Sequence, residues 1–239
     1  MKKFILPIIA ALMIILQSCS VYTKVHFNKD YSGTYRTEID MEELMAMAAM
    51  FDTTGTLDQA DMMLELFNSL DSMGFTEQWD EMEGISNIYF EPIADKGIVI
   101  EYDFANIAVL NKSINSMQET MNMDNMMGDQ PMNVSPTPPS DHESFRLDKK
   151  TLSYTAPENE GSPLGDMGDL GDMGGSEMDL AQIGEMFTMK MEFTFDRKIK
   201  KVEAENMTIE KQEKQKVSAT VDMDKMMDGG AYNIVFKLK

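Results

Sequence analysis

The spacing of hydrophobic positions changes character along the chain. In the last third, apolar residues alternate with polar ones, as in the run Phe-Thr-Met-Lys-Met-Glu-Phe-Thr-Phe at residues 187–195. This alternation is typical of half-buried β-strands. In the first half, apolar residues also recur at helical spacing over residues 40–51, 57–72 and 104–117. Because sheets and helices bury their apolar faces in layers, the pattern predicts an α+β fold: an antiparallel β-sheet with amphipathic helices packed on one face.

Further strands are predicted wherever short alternating runs are bounded by turn residues. They lie at residues 31–39, 85–91, 97–103, 144–155 (a hairpin), 199–204, 207–211, 217–221 and 232–239. Three predicted strands end in an aspartate that is followed by a helix-like run, namely Asp40, Asp103 and Asp222. A carboxylate at that position caps the exposed N–H groups of the next turn, so we interpret these three residues as helix caps and not as catalytic acids.

Two stretches have the composition of disordered inserts. Residues 121–144 are rich in Met, Asn, Asp, Ser and Pro, and residues 156–178 contain a repeated Gly-Asp motif. Such segments have too few apolar residues to compensate for the entropy of ordering. We therefore expect a single α+β domain over residues 30–239 that carries these two inserts.

The N-terminal segment has the architecture of an export signal. Lys2 and Lys3 precede an apolar run at residues 4–16, which is too short to span a membrane as a helix. The run ends in Leu16-Gln17-Ser18-Cys19, and Cys19 is the one cysteine of the chain. This tetrapeptide resembles the bacterial lipobox, although Gln17 departs from the usual choice at its position.

The lipobox resemblance implies a processed and acylated protein. Residues 1–18 would be removed as a lipoprotein signal peptide, and Cys19 would carry acyl chains such as palmitate. Residues 19–29 are then expected to be a lipidated tether, and the chain would reach the membrane through its N-terminal lipid. Residues 20–24 contain no Asp or Glu that would resemble a surface-export signal, so we expect the periplasmic side.

The charge of the chain narrows the choice of partners. The full sequence has a formal net charge of −20, and loss of Lys2 and Lys3 with the signal peptide makes the mature chain more negative still. Nucleic-acid binding requires a basic surface, so the composition argues against it. It also disfavours a protein that lies flat on an anionic leaflet.

Catalytic motifs are absent from the sequence. The two histidines, His26 and His142, are far apart, and no zinc-hydrolase motif, phosphate-binding loop, nucleophile elbow or CxxC pair occurs. We therefore assign no catalytic residue and no cofactor, and we expect a protein that is not an enzyme. A cryptic hydrolase stays open as an alternative, because isolated acids such as Glu91, Glu101 and Asp103 could converge in space.

The methionine content supplies a second alternative function, the binding of a soft metal ion. The chain contains 26 methionines, and four of them, Met121, Met123, Met126 and Met127, cluster in a segment with no predicted core. Thioethers are ligands for soft ions, so a Met-rich periplasmic protein that binds Cu(I) or Ag(I) is a possible interpretation. Methionines in predicted helices are more simply explained as adaptable core residues.

Four segments of the mature chain carry a resemblance to a known group. They are Asp-Tyr-Ser-Gly-Thr-Tyr at 30–35, Phe-Ala-Asn-Ile-Ala-Val-Leu-Asn-Lys at 104–112, the run at 145–152, and Phe-Asp-Arg-Lys-Ile-Lys-Lys-Val at 195–202. Together they resemble a group of Bacteroidetes lipoproteins that is similar in layout to LppM-like lipoprotein domains. The resemblance implies an exported α+β domain and transfers no catalytic residue. We thus expect a lipid-anchored envelope protein that works as a non-enzymatic binding module, with another envelope protein or an apolar ligand as its target.

Overall fold

The computed structural model describes residues 19–40, 42, 75–93, 97–120, 142–156, 187–223, 225 and 230–239. Eleven strands and two helices have their full extent within these residues. In chain order they are β1 (Cys19–Phe27), β2 (Gly33–Asp40), α1 (Phe75–Asp80), β3 (Ile85–Ile93), β4 (Gly97–Phe104), α2 (Ile107–Thr120), β5 (Phe145–Asp148), β6 (Thr151–Thr155), β7 (Phe187–Phe195), β8 (Ile199–Glu205), β9 (Met207–Gln212), β10 (Lys216–Val221) and β11 (Asn233–Leu238).

The strands form two sheets. The larger has seven strands in the order β3-β4-β2-β1-β7-β10-β9, and the smaller has four in the order β5-β6-β11-β8. Strand β1 lies at the centre of the larger sheet, antiparallel to β2 and parallel to β7. The larger sheet is therefore mixed and not purely antiparallel.

The expectation of an α+β fold with helices packed on one sheet face is wrong. The described part of the protein is dominated by strands, and the apolar face of the larger sheet packs against a second sheet. Phe193 and Phe195 on β7 lie 4.9 Å, between ring centroids, from Phe236 on β11. Alternation identifies the buried face of each strand, but it does not identify which strands share a sheet, and this is why the second sheet was missed. The helices predicted at residues 40–51 and 57–72 lie outside the described residues, apart from single positions.

The expected tether at residues 19–29 is also corrected by the structure. Residues 19–27 form β1, in which Thr23, Val25 and Phe27 are buried. The run Val-Tyr-Thr-Lys-Val-His-Phe at 21–27 alternates as a half-buried strand should. The folded sheet therefore begins at Cys19 and not after a linker.

Several local predictions are confirmed. The strand predicted at residues 187–195 has those bounds, and the predicted hairpin is formed by β5 and β6. The bulk of the two predicted inserts lies outside the described residues. Residues 142–144, at the end of the first, are described, and the Ser144 side chain is buried there.

Aromatic side chains join the layers of the core. The Phe27 ring lies 5.7 Å from that of Phe104, 5.6 Å from Phe145 and 5.4 Å from Phe195. These contacts link β1 to its own sheet and to the smaller one. Helices α1 and α2 meet the same core beside β4, where Tyr102 lies 4.7 Å from the Trp79 ring and accepts a hydrogen bond from Ser113.

Among the described residues, no helix combines the length and the apolar character needed to cross a bilayer.

Candidate functional site

The face of the larger sheet that points away from the core is polar. Because successive side chains of a strand point to opposite faces, the neighbours of the buried residues Val25, Tyr35 and Tyr102 all point outward. These outward positions include Tyr22, Lys24, His26, Thr34, Arg36, Glu38, Glu101, Asp103, Lys190, Glu192 and Thr194. We call this surface the outer face. It spans β3, β4, β2, β1, β7 and β10, and it includes Glu91 on β3 and Lys216 on β10.

Arg36 is the centre of one charge network on the outer face. Its Nε lies 2.8 Å from Glu38 Oε1, and its Nη1 lies 2.7 Å from Glu101 Oε2 on the adjacent strand. Hydrogen bonds to Glu101 and Glu38 raise the pKa of the guanidinium. Partial burial of Glu38 acts to raise its pKa, but the hydrogen bonds from Arg36 and Lys24 outweigh it, and the net effect lowers the pKa.

A second network surrounds Glu192. Lys216 Nζ lies 2.7 Å from its carboxylate, and Tyr22 Oη donates a hydrogen bond of 2.9 Å to it. Partial burial would raise the pKa of Glu192, yet the bonds from Lys216 and Tyr22 lower it overall. Partial burial and the bond to this carboxylate raise the pKa of Tyr22 to about 12. Lys24 Nζ lies 4.5 Å from the centre of the Tyr22 ring and so joins the two networks.

Between these networks lies a shallow groove of about 240 Å³. It is lined by Lys24, Val25, His26, Thr34, Arg36, Glu101, Glu192 and Thr194. Its lining contains both cationic side chains (Lys24 and Arg36) and anionic ones (Glu101 and Glu192), so it suits a polar or zwitterionic group. An apolar ligand would leave these charges poorly solvated, and such a ligand stays a prediction from the sequence.

The structure places the three acids of the hydrolase alternative on the outer face but in separate contacts. Glu101 is paired with Arg36, and Glu91 accepts a 2.6 Å hydrogen bond from Tyr89. Asp103 accepts bonds of 2.7 Å from both Thr34 and Asn87. The three are therefore not brought together in one cavity.

The two histidines likewise have different partners. His26 Nε2 lies 3.6 Å from Asp196, and His142 Nε2 donates a 3.0 Å hydrogen bond to the Thr155 carbonyl oxygen. In the part of the chain that the structure describes, no group of three His, Cys, Asp or Glu residues is arranged to hold a metal ion. The four clustered methionines, Met121, Met123, Met126 and Met127, lie outside the described residues, so the copper alternative stays a prediction.

Cys19 lies at the first position of β1. Its Cα is paired in register with that of Phe187, the first residue of β7. The next pair, Ser20 with Asp40, joins it to the end of β2. The predicted lipidation site is thus at one end of the larger sheet.

Sequence reasoning did not single out Arg36, Glu192, Lys216 or Tyr22. Alternation in the predicted strands at 31–39 and 187–195 marks Arg36 and Glu192 as outward-facing, whereas Tyr22 fell in the expected tether and Lys216 lay just before the strand predicted at 217–221. Their partners come from strands that are distant in sequence, 65 residues apart for Arg36 and Glu101 and 170 for Tyr22 and Glu192. The networks therefore depend on strand order, which a local pattern does not contain.

Comparison with known proteins shows a similarity to a solved structure. No family model matches the chain, and no curated protein matches it. Among solved structures, the NMR structure of the folded domain of Mycobacterium tuberculosis LppM is similar, with a TM-score of 0.45 and 8% sequence identity. The alignment covers 93% of this chain and 90% of that chain. This likeness is below the level at which a common fold or function follows.

Proposed function

We propose that this protein is a lipid-anchored component of the bacterial cell envelope that acts by binding and not by catalysis. The observation that carries the proposal is the position of Cys19. It is the cysteine of the lipobox-like tetrapeptide and also the first residue of the central strand β1. Cleavage before Cys19 would remove the apolar segment and leave the whole described sheet intact.

Acylation at this position has a mechanical consequence. Two or three acyl chains hold a protein firmly on a bilayer, whereas one holds it weakly. Since β1 starts at the acylated residue, the acyl chains would be attached to the sheet itself. The domain would then stand on the membrane with a defined end toward it, on the periplasmic side.

The chemistry of the outer face supports a binding role. The carboxylates of Glu38 and Glu192 are kept ionised by Lys and Arg partners. A general acid for hydrolysis needs the opposite environment, one that raises its pKa toward neutrality. Pre-paired charges around a shallow groove suit the polar contacts of a protein partner, and another envelope protein is the partner class we propose.

The test is to follow the fate of Cys19 in bacteria that process lipoproteins. The full chain is expressed beside a Cys19→Ala variant whose residues 1–18 are replaced by an export signal that is cleaved without a cysteine, so that neither mature protein keeps the apolar segment. Each is separated into membrane and soluble fractions. We expect wild-type protein in the membrane fraction with an acylated N-terminal cysteine by mass spectrometry, and the variant in the soluble fraction with its fold unchanged by circular dichroism.

Ser20→Ala serves as the matched control, because it changes the neighbouring residue and keeps the thiol. It should stay with the membrane. Membrane association of Cys19→Ala equal to that of wild type, or an N-terminal peptide of wild type without acyl chains, would refute the proposal.

A further inference from the structure

The end of the molecule opposite Cys19 collects basic residues. Strand register places Phe27 beside Gly33 and Phe195, so the turn at residues 28–32 and the loop at 196–198 lie at this opposite end. The β9–β10 turn and the β5–β6 turn also reach it. We call the basic residues here the distal rim: Lys29, Lys149, Lys150, Arg197, Lys198, Lys214 and Lys239.

Hydrogen bonds join these segments into one surface. Arg197 donates to the Lys29 carbonyl oxygen at 3.0 and 2.6 Å. The N–H of Lys239 donates to the Lys198 carbonyl oxygen at 2.9 Å. The carbonyl oxygens of Lys150 and Lys214 accept bonds from Leu238 and Ile199 at 2.8 and 2.7 Å. The rim is therefore continuous across the ends of both sheets.

The lysines of the rim differ from the basic residues of the outer face in that they have no carboxylate partner among the described residues. All six are exposed, and none forms an ion pair with another described residue. On the outer face, by contrast, Lys24, Arg36 and Lys216 are each paired with a carboxylate. The charge of the rim is thus available to a partner.

Four carboxylates lie among the rim residues, and three of them are engaged locally. Asp30 accepts a 2.7 Å bond from Ser32, Asp196 lies 3.6 Å from His26, and Glu213 lies 2.7 Å from Lys211. Asp148 is the fourth, beside Lys149 in the turn. Glu81 and Glu83 are exposed at the same end, just before β3, whose first residue pairs with Phe104 beside Gly33. Seven cationic groups therefore lie with six carboxylates at this end, in a chain whose net charge is −20.

One large apolar side chain is exposed beside these lysines. Leu147, on the edge strand β5 next to the turn with Lys149 and Lys150, is 37% exposed. Lysines around an apolar side chain are typical of surfaces that meet lipid headgroups, where each charge near an anionic bilayer adds to binding. Lysine also acts as a point charge and makes no planar fork, which suits a phosphate-bearing surface more than one shaped ligand.

We propose that the distal rim binds the surface of a bilayer that contains anionic phospholipid headgroups and that, in the acylated protein, this is a different bilayer from the one that holds Cys19. The lysines supply the attraction to the phosphates, and Leu147 contacts the region between headgroups and acyl chains. Clusters of four to eight basic residues suffice for such binding. The acidity of the whole chain does not oppose it strongly, because charges beyond about 8 Å are screened at physiological salt.

This inference does not depend on acylation. The test therefore uses the chain from residue 19 onward as Cys19→Ala, which lacks both the acylated thiol and the basic, apolar segment at residues 1–18. It is sedimented with vesicles of pure phosphatidylcholine or of phosphatidylcholine with phosphatidylglycerol. We expect binding to the phosphatidylglycerol vesicles at physiological salt, little binding to the neutral ones, and loss of binding at high salt.

Charge reversal at the rim provides the decisive comparison. In Lys150→Glu/Lys198→Glu, binding should fall by about tenfold or more, since two attractive charges become repulsive. The control Lys112→Glu/Lys225→Glu makes the same change of net charge at exposed positions outside the rim and should stay within about twofold of the parent. Absence of binding by the parent, equal binding to neutral vesicles, or equal losses in the two variants would overturn the proposal.

Discussion

The ionisation of Glu192, an outward-facing residue, is expected to make part of the stability of the protein depend on pH. Its side chain is only 16% exposed, and its carboxylate is shared by Lys216 and Tyr22. These partners lower its pKa, and the charge of Lys24 contributes to the same effect. A carboxyl group whose pKa is lower in the folded state than in the unfolded state stabilises the protein when it is ionised in both states, which for Glu192 means above its usual pKa of 4.5. This contribution is lost as the pH falls through the pKa of the folded state.

We therefore expect Glu192→Gln to flatten the pH dependence of stability in the acid range. The free energy of unfolding at pH 7 should fall by about 1 kcal/mol or less, because Lys216 is partly exposed and solvent screens the pair. Below the folded pKa of Glu192, the variant and the wild type should differ less. Urea unfolding from pH 7 to pH 3 measures both.

Glu210→Gln is the control for this comparison. Glu210 is 46% exposed, lies 3.9 Å from Lys190 and accepts a 2.6 Å hydrogen bond from Thr220, which glutamine can also accept. Glu210→Gln should therefore change the free energy of unfolding at pH 7 by about 0.5 kcal/mol or less. A Glu192→Gln protein with the same acid sensitivity as the wild type would contradict the role given to this carboxylate.

The structure describes one role of methionine at the residue scale, the filling of the core. Met82, Met117, Met191 and Met207 are buried in the core, and Tyr232 donates a hydrogen bond to the sulfur of Met189. These residues fill space, as flexible thioethers commonly do. The cluster from Met121 to Met127 lies outside the described residues, so its possible affinity for Cu(I) stays a prediction from the sequence.

At the scale of elements, strand β1 shows what the sequence does and does not determine. Its alternation was present in the sequence, yet its position next to the lipobox favoured the interpretation as a tether. Its parallel partner β7 begins at Phe187, far along the chain, and no local pattern relates the two strands. The bounds of β7 could be predicted because they depend on neighbouring residues, whereas pairing depends on the whole topology.

The strand assignment of β1 gives a clear expectation for Phe27→Ala. The Phe27 side chain is 1% exposed and contacts aromatic rings of both sheets, so its removal should cost about 3–5 kcal/mol in the free energy of unfolding. A residue in a tether would change stability very little. Chemical denaturation of the Cys19→Ala chain, with and without the second substitution, measures this difference.

The adjacent residue supplies the control. The His26 side chain is 39% exposed and points to the opposite face of the same strand, so His26→Ala should change stability by about 0.5 kcal/mol or less. Equal effects of the two substitutions would mean that β1 does not have the two faces described.

At the scale of the whole molecule, charge is unevenly distributed. The described residues contain 18 of the 21 Lys and Arg residues but only 21 of the 41 Asp and Glu residues, which leaves them with a net charge of −3. The other half of the acids lies in segments that include both predicted inserts. The net charge of the chain is therefore an average, and it could not have predicted a basic rim at one end of the folded domain.

The two ends of the larger sheet make the orientation on a membrane measurable. Strand β1 has nine residues, which corresponds to roughly 30 Å at the usual rise per residue. If Cys19 carries the anchor, Lys225 lies near the bilayer, since it follows the end of β10 on the Cys19 side. Lys198, in the distal rim, should lie farther away by about the length of the strand.

Because Cys19 is the one cysteine and its thiol would be blocked by acylation, Lys198→Cys and Lys225→Cys can each be labelled selectively with a fluorescent donor. In neutral vesicles with acceptor-labelled headgroups, we expect strong energy transfer from position 225 and several-fold weaker transfer from position 198. A flexible Gly-Ser insert after Cys19 should reduce this difference, because the domain would then rotate on its anchor. Equal transfer from the two positions without the insert would show that attachment at the start of β1 does not orient the domain.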